Sequence, residues 1–341
     1  MNIISPDIFR SGLNTVFGTD DMLPWENNDA LDIINRTKGI LFNGMPINHK
    51  LAENKTYQYD FLGADNPATY KEFKQECIAR NVPDHYNNKK ITYTIDTSGF
   101  RVYPDISDVT MKQSIFFFGC SNMFGTGLAD DETLPHMMYT KLKGKYNVRN
   151  FGIASSSNDE HSRLIFQTLK YSKQKPRAIF WRMTHKNRRE YFSVHKKTIQ
   201  SVQLFAHARD AYGVNELTKE YIIDPYLKMI REENDFVNVV RNYKFAETVC
   251  NALNIPLFWV YGRGNKQMIE GASKKRSKLD SVQLHDMFRK NELFDVTKTI
   301  TDSIPKSILQ HLPARDNQHA GHHSQLWLAD QLLNVFEQNG I

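Results

Sequence analysis

Four short runs rich in β-branched and aromatic residues, separated by stretches with helical spacing, constrain this chain more than any other feature. They are Ser114 to Gly119 (SIFFFG), Tyr146 to Ala154 (YNVRNFGIA), Ala178 to Thr184 (AIFWRMT) and Ile255 to Gly262 (IPLFWVYG). The first is continuously apolar and stops at a glycine, which suits a strand covered on both faces in a parallel sheet. Between the runs, Leu134, Met137, Met138 and Leu142 share one helical face within Leu134 to Lys143. A second helix is expected to begin at Asn158 as its N-cap, with Asp159 and Glu160 in the first turn. Phe236 to Leu253 and Ser324 to Gln338 complete the set, the last burying Leu326, Ala329, Leu332, Leu333 and Phe336. Strands alternating with helices predict an α/β domain, a three-layer α/β/α doubly wound parallel sheet, over residues 111–341.

Residues 1–110 have a different texture. Asn, Asp, Pro and Gly are scattered through them around small apolar islands such as Ile40 to Phe42 and Ile91 to Ile95, with a helical period only around Tyr70 to Ala79. They read as an α+β extension of uncertain fold. Two inserts interrupt the domain, at about residues 185–234 and 263–283; both leave the carboxyl ends of strands, where such sheets bind ligands, and both are candidates for a cap.

Composition removes several classes. With 40% hydrophobic and 24% charged residues over 341 positions, the chain is neither intrinsically disordered nor a small disulfide scaffold. No run approaches the roughly 18 apolar residues of a membrane span, and MNIISPDIFRSGLNTVFGTDD has neither a basic start nor a long apolar stretch. The expectation is a chain without a signal peptide or membrane partner, cytoplasmic or, if phage-encoded, part of a virion. Cys77, Cys120 and Cys250 lack disulfide or zinc spacing. The net charge of +6 is spread widely, and the clusters Lys186 to Arg189 (KNRR) and Lys274 to Lys278 (KKRSK) read as solvated loops without a nucleic-acid motif. No nucleic acid partner is expected.

The segment Phe117 to Thr133 (FFGCSNMFGTGLADDET) carries the chemistry. A buried strand ends in glycine, Ser121 follows, and Gly125 and Gly127 turn the chain toward a helix. In a doubly wound sheet this puts Ser121 at the carboxyl edge with its N–H exposed, which suits a nucleophile that shares its oxyanion hole. A small residue tolerated at a tight turn is the plainer reading. Near the end of the chain, Asp316 and His319 are three apart before the last helix, so Asp316 can fix the tautomer of a general base. His319, His322 and His323 lack further ligands at metal spacing, so no metal is expected. Cys120, beside Ser121, is read as a small buried packing residue. Arg182 and Arg263, near strand ends, are candidate substrate contacts or ordinary surface pairs.

Taken together these segments resemble the SGNH (GDSL-type) hydrolase superfamily. Its first block is matched by Gly119, Cys120, Ser121, Phe124, Gly125, Thr126 and Gly127, its second by Asn150, Phe151 and Gly152, and its fifth by Asp316, Asn317, Gln318 and His319. The lead-in TSGFRVYPDI, residues 97–106, is similar to a stretch found in a carbohydrate-directed branch. The third block, normally G-x-N-D, is absent: Thr184, His185, Lys186, Asn187, Arg188 and Arg189 stand there, leaving His185 or Asn187 as an uncertain third oxyanion donor. Asn158 and Asp159 spell the missing pair but sit in the second-block loop.

The resemblance implies a flavodoxin-like domain without cofactor, acting as a serine esterase on O-acyl esters, most plausibly O-acetyl groups of a carbohydrate. In that reading Ser121 attacks, the N–H groups of Ser121 and Gly152 hold the oxyanion, and His319 with Asp316 moves the proton. The alternatives are an O-acyltransferase to a sugar hydroxyl, or a catalytically silent glycan-binding or virion module, which the broken third block favours.

Overall fold

In the computed structural model the described residues are 57–96, 99–104, 106, 113–172, 175–193, 198–203, 232–261, 298 and 312–341, all within one compact unit, Asn48–Ile341. The insert at 263–283 with Arg263 and the KKRSK cluster, and the island at 40–42, lie outside them. So do Thr97 and Ser98 of the lead-in, residues 204–231 of the first insert, and residues 1–56 of the extension.

The four runs form one parallel sheet. Strands β3 (Ser114–Gly119), β4 (Asn147–Gly152), β5 (Ala178–Met183) and β8 (Leu257–Tyr261) lie in the order β4-β3-β5-β8. The chain starts in the middle at β3, steps outward to β4, then crosses back over β3 to β5. That reversal is the switch point at which doubly wound sheets open a crevice at their carboxyl ends. Register puts Gly119 level with Gly152 on one side and with Arg182 on the other.

Both faces of this sheet are covered, which is why β3 reads as an almost unbroken apolar run. Helices α3 (Leu134–Lys141) and α6 (His322–Gln338) pack together, as do α4 (Asn158–Tyr171) and α5 (Glu232–Ala252). Ile115, Phe117, Val148, Phe180, Phe258 and Val260 share one buried cluster with Met137 and Met138 of α3 and Leu328, Leu332 and Phe336 of α6. On the other face Trp181 meets His161 of α4, and Trp259 meets Tyr243 of α5 with ring centroids 5.5 Å apart. Truncating any one of these large buried rings removes about 3–5 kcal/mol.

Some boundaries move for identifiable reasons. The expected N-cap Asn158 is the first helical residue; Ser157 caps instead, its Oγ accepting from the Glu160 N–H at 3.1 Å. The KNRR cluster is not a solvated loop: Arg188 opens strand β6 (Arg188–Ser193), which pairs antiparallel with β7 (Thr198–Gln203). Asp159 ties this hairpin down, accepting from the Glu190 N–H at 3.0 Å and from Asn238 and Asn242 of α5.

Residues 57–103 supply a second, smaller core. Strands β1 (Tyr57–Tyr59) and β2 (Tyr93–Ile95) pair antiparallel, and α1 (Pro67–Ala79) begins at a capping box between Asn66 and Thr69. Phe73, Cys77, Tyr86, Ile91, Tyr93 and Ile95 cluster with Phe124 and Ala129, so this segment is packed directly against the loop that follows Ser121.

Gly152 marks the closest approach in this arrangement. A Cβ there would lie 2.4 Å from the backbone nitrogen of Phe124 and 2.8 Å from the carbonyl carbon of Met123. Because the obstruction is backbone, it cannot rotate away. Gly152→Ala is therefore expected to lower stability by about 3 kcal/mol, at the upper end of ordinary overpacking costs. Urea denaturation of the purified variant checks this, and a change within about 0.5 kcal/mol would contradict the packing described.

Candidate active site

Ser121 is the first residue of a four-residue helix, α2 (Ser121–Phe124), that starts as soon as β3 ends. The sharp turn requires Gly119, where a Cβ would sit 2.8 Å from the Met123 Cβ and 2.9 Å from the Arg182 carbonyl oxygen. Being at the start of a helix, the Ser121 N–H has no acceptor among the described residues. Its hydroxyl does have a partner: Ser121 Oγ lies 2.7 Å from His319 Nε2, although the two residues are 198 positions apart.

His319 is held from its other side by Asp316. The carboxylate Oδ2 meets Nδ1, while Oδ1 accepts from the backbone N–H of His319 at 3.1 Å and of Gln318 at 3.3 Å. Asp316 is fully buried. A carboxylate can only accept, so Nδ1 carries the imidazole proton and Nε2 presents its lone pair to the serine. This is the arrangement of a nucleophile, a base and a group that orients the base.

Two buried arginines hold the loops on which this depends. Arg101 directs Nη1 to the carbonyl oxygens of Phe124 (3.3 Å) and Gly125 (2.7 Å), Nη2 to that of Leu128 (2.9 Å), and Nη2 and Nε to Asp130. The Phe124 and Gly125 carbonyls lie at the carboxyl end of α2 and that of Leu128 in the turn beyond it, so Arg101 clamps the end of α2 and the loop that follows. Arg315 grips Asp65 with Nε at 3.0 Å and Nη2 at 2.6 Å, and its backbone N–H donates to the Gly127 carbonyl at 2.9 Å. Gly127, at φ +75°, has no room for a side chain, since a Cβ would meet the Ala314 Cβ at 2.9 Å and the backbone nitrogens of Arg315 and Asp316 at 3.0 Å. Neither arginine nor Asp65 stood out in the sequence. The FR of the lead-in was a signal for Arg101; an isolated Asp 250 positions from its arginine offered none.

The oxyanion donors need revision. Gly152 does not offer a free N–H, because that group donates to Asn150 Oδ1 at 2.9 Å. Asn150 is itself fixed by donation to the Tyr103 hydroxyl at 2.8 Å and the Met123 carbonyl at 3.1 Å. Gly152 serves instead as the floor on which α2 rests. Three residues on, Ser155 is an exposed non-glycine residue at φ +66°, in the turn between β4 and α4, and its N–H has no acceptor among the described residues. Left-handed backbone at a residue with a Cβ is a mark of local strain at functional turns.

The turn is braced by a polar chain that the sequence did not announce. Trp181 Nε1 donates to His161 Nδ1 at 3.0 Å, His161 Nε2 meets Ser156 Oγ at 2.6 Å, and that hydroxyl reaches the Ile153 carbonyl at 2.6 Å. Every group finds a partner only if His161 is neutral with its proton on Nε2. Burial, helped by the positive charge of Arg188, pushes His161 down to about 3.

The remaining expected residues fall as follows. Neither His185 nor Asn187 hydrogen-bonds to Ser121, His319 or Asp316; the side-chain oxygen of Asn187 is buried without a partner among the described residues. Asn158 clamps the same loop, accepting from the Thr184 N–H at 2.9 Å and donating to the Thr184 carbonyl at 3.0 Å. Arg182 is buried rather than on the surface, with Nη1 3.3 Å from Gln325 Oε1, and Gln325 Nε2 in turn donates to the Asn122 carbonyl at 3.2 Å. Cys120 is buried with its sulfur 4.0 Å from Ser121 Oγ. His322 and His323 line a separate cavity of about 270 Å³ with Tyr86 and Leu312, and among the described residues no group of three or more His, Cys, Asp or Glu is placed to hold a metal.

No protein-family model and no curated protein matches the sequence. In structure the chain is similar to TesA (TM-score 0.40, 10% identity, covering 66% of this chain and 99% of TesA). It is also similar to a lipolytic protein of the G-D-S-L family from Veillonella parvula (0.37, 12%, 66% and 99%). A third is a carbohydrate acetylesterase family member from Sinorhizobium meliloti (0.35, 9%, 67% and 100%). Two mutants of the esterase AlinE4 are similar at TM-scores of 0.27 and 0.29 with 16% and 15% identity; the chain spans only 58% and 62% of their length.

The neutral His161 has a consequence for acid stability. Its value in the fold lies below the unfolded value of about 6.5, so the unfolded chain binds a proton that the fold refuses between about pH 6.5 and 3. The contribution is fully present above pH 6.5 and is lost as the pH falls, by an amount on the order of a few kcal/mol. His161→Gln, which cannot titrate, is expected to flatten this part of the stability curve. Denaturant midpoints measured from pH 7 to pH 4 test it, and parallel curves for the two proteins would contradict a neutral His161.

Proposed function

We propose that the chain is a serine hydrolase of the SGNH type acting on O-acyl esters. The observation that carries this reading is the unbroken line from Asp316 through His319 to Ser121 Oγ at 2.7 Å, at the switch point of a doubly wound sheet. A scaffold has no use for a buried carboxylate, an oriented imidazole and a serine in series.

In this mechanism Ser121 Oγ attacks the ester carbonyl while its proton passes to His319 Nε2. Asp316 holds the imidazole and stabilises the charge it acquires. The carbonyl oxygen becomes an oxyanion received by the Ser121 N–H, with the Ser155 turn as the second donor in place of Gly152. His319 returns its proton to the departing alcohol oxygen, leaving an acyl-serine. Water, deprotonated by the same base, releases the acid and restores the serine. If a sugar hydroxyl replaces that water, the same steps give acyl transfer. The favoured substrate is an O-acetylated carbohydrate, following the resemblance of residues 97–106.

Ser121→Ala is expected to lower hydrolysis of 4-nitrophenyl acetate by about three orders of magnitude or more, and His319→Ala by a comparable factor, with unfolding midpoints little changed. The two losses should not add in the double variant, because the residues act as a unit. Cys120→Ser should retain substantial activity. An alanine variant at 121 that keeps most of the rate would overturn the assignment.

A further inference from the structure

Among the described residues, several buried or half-buried guanidinium groups around the sheet and its loops have a carboxylate partner and others do not. Arg101 is paired with Asp130, Arg315 with Asp65, Arg163 with Glu190, and Arg189 with Asp235. Arg182 and Arg188 have no carboxylate within 4 Å among the described residues. Arg182 is only 6% exposed, and its one hydrogen bond is a long one, to the neutral Gln325. Arg188, half-buried, makes a single bond of 3.4 Å to the Ser156 carbonyl. A charge withdrawn from water without a counterion is costly, so the buried Arg182 charge, with the half-buried Arg188 acting on the same neighbour, Cys120, calls for an anion.

Both belong to the nucleophile's surroundings. Arg182 is level with Gly119 in the sheet and is linked through Gln325 to the Asn122 carbonyl, one residue past Ser121. Arg188 reaches the carbonyl that follows the Ser155 turn. Both charges act electrostatically on Cys120, whose sulfur is 4.0 Å from Ser121 Oγ. Burial pushes this thiol up, yet Arg188, a hydrogen bond from Thr184, the Asn122 N–H and Arg182 together bring it below its ordinary value. The other titratable neighbour, His161, is neutral for the reasons given above.

We propose that Arg188, with Arg182 behind it, forms a subsite beside Ser121 for a compact oxyanion, a carboxylate or phosphate, borne by the ester substrate. The proposal rests on the reading of Ser121 as the nucleophile. It also accounts for the KNRR cluster, in which Arg189 turns to Asp235 while Arg188 turns to the Ser156 carbonyl. A planar guanidinium offers the paired donors that carboxylate and phosphate oxygens take up, and a hydrogen bond of that kind is stronger than a neutral one.

The test compares matched esters. 4-Nitrophenyl hemisuccinate against 4-nitrophenyl butyrate places the charge in the acyl half, and 4-acetoxybenzoate against its methyl ester places it in the alcohol half. In at least one pair the charged member should have kcat/KM about tenfold higher or more. Arg188→Gln should bring that ratio toward one, with Arg188→Lys retaining part of it. No preference in either pair, or a preference untouched by Arg188→Gln, would overturn the proposal. Because that experiment needs turnover, inorganic phosphate and glucuronate are also titrated calorimetrically into Ser121→Ala at low salt. Saturable binding that is lost on adding Arg188→Gln supports the subsite even if no ester is cleaved, whereas absence of binding together with absence of turnover rejects it.

Discussion

The bidentate ion pair between Asp65 and Arg315 closes a ring on which the candidate site depends. Arg315 donates its backbone N–H to the Gly127 carbonyl, the Gly127 N–H donates to the Tyr93 hydroxyl at 2.7 Å, and that hydroxyl donates to Asp65 at 2.6 Å. Asp65 returns to the guanidinium of Arg315. One member of the ring lies in the turn after Ser121 and another immediately precedes Asp316, so the ring ties the Ser121 loop to the turn that carries Asp316 and His319. Because the pair is buried, its net stabilisation is small, but removing one partner strands the other charge and costs about 3–5 kcal/mol. The pair therefore serves geometry more than stability.

Residues 57–103 are thus part of the site's support. Their apolar cluster takes in Phe124 and Ala129 of the loop that follows Ser121, and Arg101 donates to carbonyls at and just beyond the end of α2. A helix of four residues cannot hold itself together, since nucleation outweighs the bonds it makes. Here its two ends are secured from outside, by the sheet at Gly119 and Gly152 and by Arg101.

The parts of this arrangement that were legible in the sequence are those governed by short-range rules. Ile115, Phe117, Val148, Phe180 and Phe258 announced a sheet covered on both faces, and the glycine-ended run put Ser121 at its edge. The D-x-x-H spacing brought Asp316 to His319 because both sit in one turn. What failed depended on where particular side chains turn, which spacing alone does not set. Gly152 had a free N–H in the sequence reading, and only the position of the Asn150 side chain shows that the bond is used. Asn158 appeared as a cap, whereas its amide is spent on Thr184, 26 residues away. Likewise nothing local distinguishes Arg188, which bonds the Ser156 carbonyl and has no carboxylate within 4 Å among the described residues, from Arg189, which finds Asp235.

The central claim is that Ser121 is a serine activated by His319 within loops held by the Asp65 ring. Reaction with a fluorophosphonate, which needs both a basic partner for the serine and donors for the new oxyanion, tests it most directly whatever the natural ester is. Mass spectrometry of the labelled protein should show a single adduct, on Ser121. It should be absent in His319→Ala and form much more slowly in folded Asp65→Asn. A folded wild-type chain that stays unlabelled at Ser121, or carries the adduct on another residue, would contradict the account.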